Sequence, residues 1–299
     1  MRAARFALAC LLLARASWTP AAEGASGAVE VTDDRGAVVR LAQPARRIIS
    51  LAPHATELLF TAGAGNALVG TIKGSDAPPE AARLPVIGDV NALDLERILA
   101  LAPDLIVTWP YTTPAQVELL RARGIAVFVT DAHRVDDIAR DLEALAELAG
   151  TAAAGRAAAA TLRQRARAVA APPGARRVRV FYQVASGPIF TIGGRHLIDG
   201  AIGACGGTNV FADSALPAPQ VNIEAVLERQ PEAIVAATAR ARRPAWLDAW
   251  RAWPQLPAVR RDSLFVVDAD LLHRAGPRFV DGMAQLCRTL EEARRRAGG

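Results

Sequence analysis

One short unit occurs twice in this chain and limits the folds open to it. The first copy reads Leu95-Glu96-Arg97-Ile98-Leu99-Ala100-Leu101-Ala102-Pro103-Asp104-Leu105-Ile106-Val107. The second reads Ile223-Glu224-Ala225-Val226-Leu227-Glu228-Arg229-Gln230-Pro231-Glu232-Ala233-Ile234-Val235. Each holds a Glu, an apolar helical stripe, a Pro seven residues after the Glu, an acid and an apolar run. That pattern spells a short helix, a proline-marked stop and a buried strand. The copies lie 128 residues apart, too far for a solenoid repeat. Two similar lobes with one copy each is the simpler arrangement. An acid at the same step of both copies, Glu96 and Glu224, is then the first functional question.

With 299 residues, the chain can bury a large core as one α/β domain or as two lobes. Its 52% hydrophobic content argues against disorder. The net charge of +5 includes Arg2, Arg5 and Arg15, and removing residues 1–22 lowers it to +2. No basic stripe carries interleaved aromatics, so no nucleic-acid partner is expected.

Residues 1–22 read as a secretory signal peptide. Arg2 and Arg5 open it, Phe6 to Ala14 is apolar, and Ala16, Ala21 and Ala22 offer cleavage sites. The mature protein is therefore expected to be exported, with Cys205 and Cys287 as its two cysteines. A lone pair in an oxidising compartment usually bridges. In the chain-entropy view, so long a loop contributes at most about 4–5 kcal/mol. Two buried free thiols are the alternative.

In chain order, residues 29–41 predict a β-hairpin around Asp33-Asp34-Arg35-Gly36, and residues 48–51 a buried strand. Pro53 breaks that strand, and Thr56 is a candidate cap for a helix running to Ala62. Asp136 to about Ala171 is the longest helical stretch, weakened at Gly150 and Gly155, so one helix or two fit it. These signals predict an N-terminal α/β lobe over 23–135, a linker helix over 136–174 and a C-terminal α/β lobe over 175–299. Asp270 to Pro277 reads as a loop before a final helix.

Catalytic constellations are scarce. There is no G-x-S-x-G elbow, no complete G-x-G-x-x-G and no phosphate-binding loop. His54, His133, His196 and His273 sit in no metal spacing, so no metal site and no intrinsic cofactor are expected. A binding protein fits better than an enzyme. Loops rich in Pro, Gly and aromatics follow strands in both lobes, including His54, Trp109-Pro110-Tyr111, Gln183, Phe190 and 270–274. Ligands of open α/β sheets sit at such strand ends. Ordinary core packing explains Trp109 and Phe190 equally well from spacing alone.

Several motifs then point to one family. They are Arg47-Ile48-Ile49-Ser50-Leu51-Ala52-Pro53-His54-Ala55-Thr56-Glu57-Leu58, Ser75-Asp76-x-Pro78-Pro79, and Asp94-Leu95-Glu96-Arg97-Ile98 running to Pro103-Asp104. With them go Cys205-Gly206-Gly207-x-Asn209-Val210-Phe211, Pro219-Gln220-Val221-x-x-Glu224 and Arg274-Ala275-x-Pro277-Arg278. In order and spacing, over nearly all of 44–290, the chain resembles the periplasmic cobalamin-binding proteins of ABC importers. The resemblance implies two Rossmann-like lobes joined by a long rigid helix, the class III architecture. It implies a monomer that carries cobalamin or a related corrinoid to a permease dimer and its ATPases. Trp109 and Phe190 match pocket aromatics, and Asp270, Leu271, Leu272, His273 and Arg274 match a ligand-contacting loop. Gly74, Val90 and Ala218 stand where the family has aromatic walls. Glu96 and Glu224 match two glutamates that crown the lobes and pair with permease arginines. Relatives of the same architecture carry haem or ferric siderophores, for which His54, Tyr111 or His273 are candidate iron ligands. An exported enzyme remains a further alternative.

Overall fold

The computed structural model of the protein describes residues 27–298. The expected signal peptide, with Cys10, lies outside the described residues. A hairpin of β1 (Val29–Thr32) and β2 (Val38–Leu41) opens the fold, and its turn is tied to Val129 through Asp33 and Asp34. The N-terminal lobe follows with β3 (Ile48–Ser50), α1 (Pro53–Thr61), β4 (Leu68–Gly70), α2 (Leu95–Ala100), β5 (Leu105–Thr108), α3 (Pro114–Ala122) and β6 (Ala126–Val129). Next come α4 (Val135–Leu148) and α5 (Ala152–Val169). The C-terminal lobe has β7 (Val178–Gln183), β8 (Ala185–Ser186), β9 (Ile189–Phe190), α6 (Leu197–Ala204), β10 (Gly207–Asn209), α7 (Ile223–Arg229) and β11 (Ala233–Thr238). It closes with α8 (Ala245–Asp248), α9 (Pro257–Arg260), β12 (Leu264–Asp268), α10 (Ala269–Leu272) and α11 (Phe279–Gly298).

Each lobe holds a four-stranded parallel sheet, in the orders β4-β3-β5-β6 and β10-β7-β11-β12. By order of appearance within its lobe, each sheet reads 2-1-3-4, so the two lobes share one topology. Both faces of each sheet are covered, which is why the strands read as continuous apolar runs. Ile48, Leu105 and Val107 face one core while Ile49 and Ile106 face another. The first of these cores continues through Leu142 and Leu145 of α4 and Leu162 of α5 to Val178, Val180 and Tyr182 of the second sheet. One apolar core thus runs from lobe to lobe.

The repeated unit is built alike in both lobes. Asp94 caps α2 by accepting from Arg97 N–H at 2.9 Å, and Asn222 caps α7 by accepting from Ala225 N–H at 2.9 Å. Ala102 and Gln230, each just before its proline, take left-handed backbone with φ of 42° and 45°. Asp104 accepts from Arg46 N–H at 2.8 Å and Arg47 N–H at 3.1 Å, and Glu232 accepts from Arg179 N–H at 3.1 Å. Arg47 Nε in turn donates to Leu101 O at 2.8 Å, and Arg179 donates to the Arg229 carbonyl. The acid after each proline therefore locks a helix end to the neighbouring strand.

Three expectations need correcting. The stretch 136–174 is not one helix but the pair α4 and α5. Gly150 ends α4 with φ +72°, and α5 packs back on α4. Gly155 permits that packing, because a Cβ there would lie 2.2 Å from Ala146 Cβ. Only α5, 18 residues and about 27 Å long, leads into the second lobe. Thr56, expected as a helix cap, lies buried inside α1, which begins at Pro53. A proline has no N–H to satisfy and suits the first helical position. The Thr56 hydroxyl instead meets Ser50 Oγ at 2.9 Å and Thr71 Oγ1 at 3.0 Å. The loop read over 270–277 also differs, since α10 forms its first turn under the cap of Asp268.

The Cys205–Cys287 disulfide is formed, with Cα atoms 4.6 Å apart across 82 residues of sequence. It pins the end of α6 to α11.

Candidate functional site

A cleft open to solvent lies between the lobes. Its walls come from segments that directly follow strands, where a parallel sheet turns its carboxyl ends outward. His54 follows β3, Trp109 to Tyr111 follow β5, and Thr130 to His133 follow β6. Leu272, His273 and Ala275 follow β12, while Arg195 to Leu197 lead into α6. All four histidines of the chain line this one cleft.

The imidazoles are held in defined states. His54 Nε2 lies 2.9 Å from Thr130 Oγ1, and its ring stands edge-on to Trp109 at 5.3 Å. Burial, with the nearby Arg274 charge, lowers the His54 pKa to about 4. His196 Nδ1 accepts from Ile198 N–H at 3.1 Å as the cap of α6. Burial, with His273 and His133 beside it, also lowers its pKa to about 4. His273 Nε2 meets the Tyr182 hydroxyl at 3.1 Å, and desolvation holds its pKa below the ordinary range against the pull of Asp270. His133 Nδ1 reaches across the cleft to Arg195 O at 2.7 Å. Near neutral pH His54, His196 and His273 are thus uncharged, while Asp131 and Arg195 bring charge to the same cleft.

Trp109 stands as a partition. On one side is the histidine cleft, and on the other a hollow lined by Pro53, Lys73 and Val90. Tyr111, 64% exposed, packs edge-on against it at 4.9 Å. The Trp109 Nε1–H is buried with no acceptor among the described residues. A buried donor left unpaired costs about 1–3 kcal/mol.

Of the residues expected at the site, Trp109, Leu272 and His273 line the cleft. Phe190, Asp270, Leu271 and Arg274 are not among its lining residues. Phe190 is half-buried in a two-stranded ribbon opposite Ala185. Gln183 is buried and accepts from Trp250 Nε1–H at 2.8 Å, a packing role. Arg274 belongs to a latch between the lobes. Its Nη1 donates to Asp76 Oδ1 at 2.6 Å and to Glu57 Oε1 at 3.3 Å. Arg278 clamps the same Glu57 with bonds of 2.7 and 2.9 Å. The Arg274 hydrogen bond holds the Asp76 carboxyl below its usual range. Gly74, Val90 and Ala218, where walls are absent, are all exposed.

Sequence reasoning did not place Thr130, His133, Arg195 or His196 at the site. The available signal was position: Thr130 to His133 immediately follow a strand that the apolar run 125–129 marks.

Glu96 and Glu224 lie in the first turns of α2 and α7, both exposed and without an ion-pair partner among the described residues.

Two matched α/β lobes facing each other across a cleft, joined by a helix and one shared core, define a protein that takes a ligand between its lobes. The chain matches the family described as periplasmic binding protein over residues 48–271, and it belongs to that family. It is 38% identical over 255 residues to the vitamin B12-binding protein of Vibrio cholerae, covering 84% of this chain and 91% of that protein. The vitamin B12-binding protein of Photorhabdus laumondii is 37% identical over 253 residues, covering 82% of this chain and 88% of that protein. The crystal structure of the periplasmic vitamin B12-binding protein of Vibrio cholerae superimposes with a TM-score of 0.75 at 37% identity, covering 84% of this chain and 98% of that one. A periplasmic haem-binding protein from Roseiflexus sp. RS-1 superimposes with a TM-score of 0.71 at 25% identity, covering 83% and 99%. Among the described residues, no helix is long and apolar enough to cross a membrane.

Proposed function

We propose that this protein is the exported substrate-binding component of an ABC importer and that it carries one cobalamin or related corrinoid between its lobes. The observation that carries this reading is the 38% identity to vitamin B12-binding proteins over 84% of the chain. Trp109 and Leu272 form apolar walls for a macrocycle, and the uncharged His54, His196 and His273 do not repel a cationic corrinoid. His273 and Arg195 supply polar edges for amide groups of the rim. Arg274 fixes how far the lobes stand apart through Asp76 and Glu57. Glu96 and Glu224 present one unpaired acid per lobe, a charge pattern suited to two copies of a permease with basic contact points. The protein works as a monomer, needs no resident cofactor and performs no catalysis.

The test is a spectral titration of ligand-free protein with cobalamin, cobinamide and haemin. Saturable corrinoid binding at micromolar or lower concentration, with quenched tryptophan fluorescence, is the expected result. A haem reading draws on the four histidines and Tyr111 at the cleft. Micromolar haemin binding together with no cobalamin binding at high micromolar concentration would establish it instead.

A further inference from the structure

Three of the four imidazoles in the cleft have no accessible lone pair. His196 Nδ1 accepts the Ile198 N–H at 3.1 Å, so its Nε2 carries the ring proton. The Tyr182 side chain is fully buried, and His273 Nε2 is its hydroxyl's hydrogen-bond partner among the described residues. The hydroxyl therefore donates there and occupies that lone pair. Thr130 Oγ1 donates to the Thr108 carbonyl at 3.1 Å, so it accepts from His54 Nε2–H at 2.9 Å. That leaves a lone pair on His54 Nδ1, but the residue is only 5% exposed.

His133 differs. Its Nδ1 lies 2.7 Å from Arg195 O, and a carbonyl only accepts, so in the neutral ring Nδ1 carries the proton and Nε2 the lone pair. The side chain is 52% exposed at the cleft. An imidazole whose far nitrogen is fixed by a backbone carbonyl is the usual arrangement of a histidine that ligates a metal. Asp131 Oδ1 lies 3.8 Å from His133 Nε2, and Arg35 holds the other Asp131 oxygen at 3.0 Å. A carboxylate at that place favours a cationic metal centre nearby.

Taking the corrinoid reading as given, we propose that His133 Nε2 is the axial ligand to cobalt for a corrinoid that lacks its own lower base. The step is a ligand exchange: the Nε2–Co bond forms, a cobalt-bound water leaves, and no electron or proton is transferred. A complete cobamide fills that position with its own base and gains nothing from His133. An incomplete one gains a metal–ligand bond, which offsets the aromatic walls missing at Gly74, Val90 and Ala218. His133 is thus a specificity-determining residue.

The test is electron paramagnetic resonance of Co(II) cobinamide bound to the mature protein. Nitrogen ligation splits the cobalt lines into triplets, which become doublets in uniformly ¹⁵N-labelled protein. His133→Ala abolishes the splitting and lowers the ratio of cobinamide to cyanocobalamin affinity on the order of tenfold. His133→Gln keeps an N–H donor for Arg195 O without an imidazole, and gives the same result should the Ala variant not fold. Cobinamide bound without nitrogen splitting, or splitting that survives in a folded His133 variant, overturns the assignment while leaving the corrinoid reading standing. Failure of both cobinamide and cyanocobalamin to bind overturns both.

Discussion

In the N-terminal lobe, β5 runs out into Trp109-Pro110-Tyr111, which wall the cleft. Its counterpart β11 runs out into Ala239–Ala241, where Arg240 and Ala241 take left-handed backbone and Arg240 N–H is held by Asp268 at 3.1 Å. Below those loops the two lobes match at cap, left-handed residue, proline, acid and sheet order. The two lobes share the frame, and the site arises where they differ. Aromatic wall comes from one lobe, while the latch arginines and two of the four histidines come from the other.

The comparison breaks most visibly at the exposed first-turn glutamates that both lobes carry. Replacing Glu96 and Glu224 together by Ala should collapse corrinoid uptake in cells carrying the cognate importer, while ligand affinity and thermal stability of the purified protein stay nearly unchanged. Each single variant should retain partial uptake, with a stronger dependence on salt. Normal uptake by the stable double variant would reduce both residues to helix-end charges.

The latch is the largest asymmetry. Glu57 is 4% exposed and faces two arginines of the other lobe. Glu57→Ala should lower unfolding stability by about 3 kcal/mol, the low end for a broken buried pair because the arginines are partly solvated. It should also weaken ligand binding, since the lobes then lose their spacing. Denaturant unfolding and titration of the same sample check both. Unchanged stability would show that the shared core alone fixes the lobes.

Asp104 and Glu232 sharpen the equivalence itself. Asp104 accepts the Arg46 and Arg47 N–H groups and Glu232 the Arg179 N–H, so Asp104→Asn and Glu232→Gln should each cost about 1–2 kcal/mol in urea unfolding. Similar losses support equal roles. A loss confined to one lobe would mean that only one copy of the unit still bears the strain of holding its sheet.

The pH effect is the smallest and has a defined sign. His54 and His196 have native pKa values near 4 against an ordinary 6.5. Between those values the unfolded chain binds more protons than the native one. Their contribution is therefore complete above about pH 6.5 and is lost as pH falls toward 4. Buried Asp141, whose pKa is raised by burial and neighbouring acids, acts with the opposite sign. The histidine part is isolated as a difference: His54→Gln should flatten the loss of stability from pH 6.5 to 4 relative to wild type. An unaltered slope would show that His54 titrates alike in both states.

The frame was legible because it depends on local chemistry. The repeat, the hairpin and the strand runs all state apolar period and stops directly. The split at Gly150 was ambiguous, since a glycine within a helical stretch signals either tolerance or a break, and only the packing of α5 on α4 through Gly155 decides it. Thr56 misled because its hydroxyl finds buried partners far in sequence, Thr71 among them. The site was half legible. Trp109 and His273 follow strands and carry distinctive side chains. Arg274 was expected at the ligand because its loop matched the family, but its partner Glu57 lies 217 residues away and no pattern links them. The gathering of four scattered histidines in one cleft follows from strand order alone, which exists only once both sheets are assembled.

One corrinoid is proposed to occupy the cleft of each chain. Native mass spectrometry of the ligand-free mature protein, mixed with equimolar cyanocobalamin and haemin, tests it most directly. The expected result is a single adduct whose added mass is that of one cyanocobalamin. An adduct of haemin alone, or no adduct at concentrations that saturate the Vibrio cholerae protein, would contradict it.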